Sequence, residues 1–179
     1  MATTDASVAL KTSAQFARIN HTVMAKCSAL WNKCSRPKST EKISEICGRS
    51  LPTPCATRRN SLYDSIYSLL TKRECFVTLM PALQLPCFKN VDLEFLDEYR
   101  QMLAPIAVAL DRLQGENECY YAALLPTVLT VNTQLTQLQS VNRRHCVPLL
   151  TAITAGFQQR FADFLTLAPD VNLATMTHP

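Results

Sequence analysis

The sequence predicts an all-α fold, a bundle of amphipathic helices, and three observations carry that expectation. Only three glycines stand against ten prolines in 179 residues. Few glycines mean few tight hairpins, and the prolines fall mostly at segment edges, as at Pro37, Pro52, Pro54, Pro81 and Pro86. Apolar residues make up 47% of the chain and charged residues 18%, a balance that fills a core. Long stretches repeat apolar residues at helical spacing, and no stretch shows the strand–helix alternation of a βαβ unit.

Residues 5–34 hold no helix breaker, and Phe16, Ile19, Val23, Ala29 and Leu30 recur at roughly helical intervals, so one or two helices end near Cys34. Pro37 prevents their continuation. Ser39 is positioned to cap a short helix whose stripe is Ile43, Ile46 and Cys47 and whose stop is Gly48. Pro52 and Pro54 stiffen the extended loop that follows. From about Asn60 to Lys72, the stripe Leu62, Ile66, Leu69 and Leu70 predicts another helix. Residues 74–80 read equally well as helix or extended chain, with Pro81 and Pro86 bounding a loop.

The second half is more regular. Asp92 is expected at the N-cap of a long helix, with acids in its first turn where the helix dipole favours them. Its stripe is Leu93, Leu96, Leu103, Ile106, Leu110 and Leu113; Pro105 lies inside and predicts a kink, and Gly115 ends it. A second helix is expected from Cys119 to about Leu138, again with one internal proline, Pro126. After a polar break at Ser140–Arg144, a third carries Val147, Leu150, Ile153, Phe157, Phe161 and Phe164. The expected organisation is basic helices over 1–50, a proline-containing loop over 51–59 and a helical bundle over 60–179.

Charge is uneven. Residues 1–73 carry twelve Lys/Arg and four Asp/Glu, whereas residues 74–179 carry six and ten. A basic first part fits either a polyanion-binding face or an ordinary solvated helix surface. The eight cysteines show no two-residue gap of a zinc knuckle, and the three histidines are scattered. Met1–Ser13 has no long apolar run, so no export signal is expected and the cysteines read as reduced thiols of the nucleus or, alternatively, the cytoplasm. No apolar run approaches a membrane span.

Four stretches, in order, carry a resemblance. Residues 26–36 read Lys-Cys-Ser-Ala-Leu-Trp-Asn-Lys-Cys-Ser-Arg. Residues 51–64 hold a Leu-x-x-Pro lead-in followed by Thr57-Arg58-Arg59-Asn60-Ser61. Residues 95–126 run from Phe-Leu-Asp-Glu-Tyr through Leu-Gln-Gly-Glu to Leu-Leu-Pro-Thr, and residues 173–179 read Leu-Ala-Thr-Met-Thr-His-Pro. Together they resemble the helical insertion of hAT-superfamily DNA transposases and the transposon-derived, zinc-finger BED-type related proteins, over roughly residues 20–179.

That resemblance implies an all-helical domain which, in the family, interrupts an RNase H-like α/β core bearing three metal-binding carboxylates. The chain resembles the stretch between the second and the third of these, so no catalytic residue carries over and the catalytic core is missing. It departs from the family twice. Around His21 the chain reads Ala17-Arg18-Ile19-Asn20-His21, without the cysteine of the family's Cys-x-x-His element. Arg59 also stands where the family box has a tryptophan that resembles a base-stacking residue. Arginine stacks or grips phosphate but is not equivalent.

The expected role is therefore non-catalytic, with no cofactor: a helical module for self-association or protein partners through apolar faces. The alternative is weak, sequence-nonspecific DNA binding by the basic first third. Its candidate residues are Arg58, Arg59 and Asn60, with Lys33, Arg36 and Lys38 as a second basic patch. Against DNA contact stands a plainer reading, in which Asn60 caps the next helix and the arginines face solvent or pair with Asp64 and Glu45. Trp31 reads as a core anchor. Glu94, Asp97 and Glu98 share one helix, but the Glu-x-x-His motifs of a dimetal bundle are absent. Neither a glycine-flanked serine, a cysteine–histidine setting nor a phosphate-binding glycine loop occurs.

Overall fold

A computed structural model describes residues 2–114 and 121–166, and among them it is all helix, turn and loop, with no strand. Eight α-helices follow in order: α1 Ala2–Cys34, α2 Pro37–Cys47, α3 Ser61–Thr71, α4 Phe76–Ala82, α5 Asn90–Gln114, α6 Tyr121–Gln139, α7 Val147–Arg160 and α8 Ala162–Thr166. A 3₁₀ turn, Arg73–Cys75, precedes α4. The chain forms two compact units, the first ending at Arg100 and the second beginning at Gln101. Expectations placed on Gly115, Cys119, His178 and the stretch 173–179 lie outside the described residues.

In the first unit α1 is a single helix. It buries Val23, Cys27, Leu30 and Trp31, a stripe of spacings four, three and one that faces the core, so Trp31 is a core residue at 7% exposure. Phe16, Ile19 and Ala29 are half-buried. The helix ends before Pro37, as expected, but α2 begins earlier than the Ser39 cap: Arg36 is its N-cap residue and Pro37 lies in its first turn. Proline suits that turn, because its fixed φ is helical and its missing N–H would have no helical acceptor. Gly48 closes α2 in the left-handed region at φ 74°, where glycine meets no Cβ penalty.

Helix α3 departs from its predicted stripe. Ile66 and Leu69 are fully buried, but Leu62 and Leu70 are only half-buried, and Ser61, Ser65 and Ser68 fill the rest of the inner face. Serines are tolerated there because their hydroxyls bond locally: Ser65 Oγ donates to the Ser61 carbonyl at 2.7 Å. The ambiguous stretch 74–80 resolves into the 3₁₀ turn and α4, which runs past Pro81 to Ala82 and buries Phe76, Leu79 and Met80.

Asp92 is not the N-cap of α5. The helix starts at Asn90, and the Asp92 carboxylate reaches back to accept the Lys89 N–H at 2.8 Å, the part played by the third residue of a capping box. The same oxygen takes the Lys26 ammonium of α1, which also donates to the Cys87 carbonyl at 3.3 Å. Phe16 of α1 and Phe95 of α5 meet with their rings tilted at 39° and their centroids 5.9 Å apart.

The second unit is built from the C-terminal part of α5 with α6, α7 and α8. Met102, Ala107, Leu125, Val128, Val131, Leu135, Cys146 and Leu150 are buried. The polar break expected at 140–144 is the loop between α6 and α7, where Arg143 donates to the Gln101 side chain at 2.8 Å. The third predicted stripe is interrupted: the chain turns at Phe161, φ −112°, and α8 restarts at Ala162. Along α6, Thr127, Thr130, Thr133 and Thr136 each donate a hydroxyl to the carbonyl four residues back, at 2.6–2.9 Å.

Candidate interaction surfaces

The sequence points first to the loop 51–60. Leu51 anchors its start in the core at 4% exposure, and Ser61 fastens its middle. Ser61 Oγ accepts the Cys55 N–H at 3.0 Å and donates to the Cys55 carbonyl at 2.7 Å. One hydroxyl thus satisfies both backbone groups of a residue six positions away, and the intervening Ala56–Asn60 projects as a defined turn. In the sequence Ser61 is only a member of the motif; the turn itself is what brings its Oγ to Cys55.

Arg58 and Arg59 are both exposed on that turn. Arg58 lies 3.4 Å from the Asp64 carboxylate in a pair open to solvent, so the plainer expectation of an Arg–Asp64 pair holds for Arg58. Arg59 has no ion pair among the described residues. Asn60 occupies the N-cap position of α3, but its side chain does not cap; its carbonyl accepts the Asp64 N–H at 3.0 Å. Beside the arginines the exposed Cys55 thiol is shifted below its ordinary pKa. The Thr57 hydroxyl at 3.1 Å is the main cause, followed by the Thr57 and Arg58 N–H groups and the Arg58 charge.

The second basic patch gathers where α1 gives way to α2. Lys33 is half-buried in the last turn of α1, where a cation complements the helix dipole. Arg36 and Lys38 are exposed on either side of Pro37. The helix end accounts for Lys33, whereas Arg36 and Lys38 stand at the start of α2, where the helix dipole does not favour a cation.

A different surface appears in the second unit. Ile106, Ala109, Leu110 and Leu113 of α5, Leu124, Thr127, Val128 and Val131 of α6, and Phe157 and Phe161 of α7 and its end line an apolar cavity of about 160 Å³. Val128 and Val131 are buried at its floor, while Ile106, Leu110, Leu113, Leu124, Phe157 and Phe161 are only half-covered at its rim. A larger groove of about 610 Å³ in the first unit mixes both charge signs, Arg73 and Arg100 with Glu94 and Asp97. Arg100 is engaged there by Asp97 at 3.0 Å.

Among the described residues no three His, Cys, Asp or Glu side chains gather as metal ligands, and no helix is long and apolar enough to cross a membrane. Comparisons with family models, curated proteins and solved structures find no match to this chain.

Proposed function

We propose that this chain is a non-catalytic, transposase-derived helical module of the nucleus that acts by burying its apolar faces against protein, a second copy of itself foremost. The observation that carries this reading is the half-covered apolar rim of Leu110, Leu113, Leu124, Phe157 and Phe161 around the cavity of the second unit. Apolar side chains left at a rim gain free energy when a partner removes them from water, about 25 cal/mol per Å² buried. The hAT origin rests on the four motif stretches in family order.

Sedimentation velocity of the chain at tens of micromolar tests this. The expected result is a dimer or larger species, converted to monomer by Phe157→Glu with helix content unchanged by circular dichroism. A monomer throughout would remove self-association from the account.

A second reading is favoured by one feature, the turn that Ser61 holds with Arg58 and Arg59 exposed. Two guanidinium groups on a fixed turn suit phosphate contact, and binding of this kind is nonspecific in sequence and weakens steeply with salt.

A further inference from the structure

The second unit holds a space that its own side chains leave unfilled. The cavity of about 160 Å³ is walled by α5, α6 and the end of α7, and no polar atom is exposed to it. Thr127 is the one lining residue with a hydrogen-bonding side chain. Its hydroxyl donates to the Ala123 carbonyl of its own helix at 2.6 Å, so the cavity meets its methyl group. Thr127, Val128 and Val131 close the floor, each buried. Phe157 and Phe161 form one wall, with ring centroids 4.7 Å apart and planes inclined at 40°. Among leucines, isoleucine and phenylalanines, Ala109 is the smallest side chain of the lining, and its shortness leaves room that a longer one would take.

We propose that this cavity is a binding site for a small, uncharged hydrocarbon of single-ring size. Volume sets the size: apolar cavities of about 150 Å³ lined by side chains of this kind stay dry and take up benzene. Lining sets the chemistry. A water molecule needs several polar partners and finds none here. An ion or a hydrogen-bonding group would give up its hydration without replacement. A hydrocarbon loses nothing of that sort, and its atoms supply the contacts that the facing side chains lack across the gap. The inclined pair of phenylalanines offers both an edge and a face, the two arrangements in which aromatic rings attract.

The half-covered Leu110, Leu113 and Leu124 leave the cavity partly open, so entry needs no helix to unfold. The rim can still meet a protein over an occupied cavity, so the site stands apart from the association proposed above.

The experiment adds benzene to the full chain, follows thermal unfolding by calorimetry, and records methyl NMR spectra of protein labelled at valine and leucine. The expected result is a melting midpoint that rises by a few degrees and saturates with benzene. The methyl resonances of Val128, Val131 and Leu110 should shift most. Ala109→Phe, which puts a ring where the ligand would sit, should keep the helix content and lose both responses. No saturable rise, or a rise of equal size in Ala109→Phe, would overturn the proposal, as would shifts spread over the apolar residues of both units. The wild-type methyl map decides even if the variant fails to fold. Sedimentation of the same samples separates this site from self-association. Benzene shifts that persist at every association state uphold the site. Lining resonances that move with protein concentration and not with benzene would put the cavity inside the contact between copies and refute it.

Discussion

Lys26 of α1 and Asp92 of α5 form an ion pair with both side chains largely withdrawn from water, at 14% and 10% exposure, across 66 positions of sequence. The Asp92 carboxylate does two jobs at once, since the oxygen that meets the ammonium also accepts the Lys89 N–H that begins α5. Breaking one side of a buried pair leaves an uncompensated charge, at a cost of about 3–5 kcal/mol. Asp92→Ala should therefore lower the free energy of unfolding in urea by that amount. Lys26→Met should cost less, because the aspartate keeps its backbone partner. Equal losses would show that the capping bond contributes nothing.

Ser61 holds the 55–61 turn through two hydrogen bonds from a single oxygen. Ser61→Ala leaves the Cys55 N–H and carbonyl without that partner, a penalty of about 1–3 kcal/mol. The local effect should exceed the global one. Trypsin should cut after Arg58 or Arg59 markedly faster in the variant, while circular dichroism shows α3 retained; unchanged cleavage would mean the turn is held by something else.

Cys27, fully buried in α1, has its thiol pushed from the ordinary 9.0 to about 12, first by burial and then by the Asp92 charge. The unfolded chain releases this proton near pH 9 and the folded chain only near pH 12. Stability from Cys27 is thus complete below pH 9 and is lost as pH rises towards 12, at up to about 1.4 kcal/mol per pH unit. Urea midpoints between about pH 8 and 11 should fall more gently in Cys27→Ala than in the wild type. Parallel slopes would refute this account of the site.

For DNA, a labelled duplex of about 30 base pairs followed by fluorescence anisotropy separates the two readings of the basic turn. If the turn grips phosphate, Arg58→Ala/Arg59→Ala should weaken binding and reduce the salt slope by about 0.9 for each phosphate no longer neutralised. Arg59→Ala alone should have the larger effect, since Arg58 is shared with Asp64. Absence of binding at low salt leaves association as the remaining role.

Helix existence is legible because apolar spacing near 3.6 survives in any context: Val23, Leu30, Ile66, Leu69, Leu96 and Leu150 all belong to the predicted stripes and are buried. What escapes is polar and long-range. Asp92 has the composition of an N-cap, and only the fold reveals that it sits three residues further in and faces Lys26. The serines of α3 read as solvent-facing by residue type, yet a small side chain with a local hydroxyl acceptor suits a close-packed face. The break at Phe161 follows no glycine or proline, so nothing in the apolar stripe marks it. For the candidate site, the exposed arginines are expected from the sequence, whereas the Ser61 clamp depends on the turn that brings Cys55 back to it.

The threonines of α6 give the sequence a misleading polarity. Each hydroxyl already donates its proton to a carbonyl of its own helix, so what Thr130, Thr133 and Thr136 offer outward is a methyl group and an oxygen that can only accept. To an approaching protein this helix is greasier than its composition declares, and much of the desolvation that exposed hydroxyls would demand has been met within the helix.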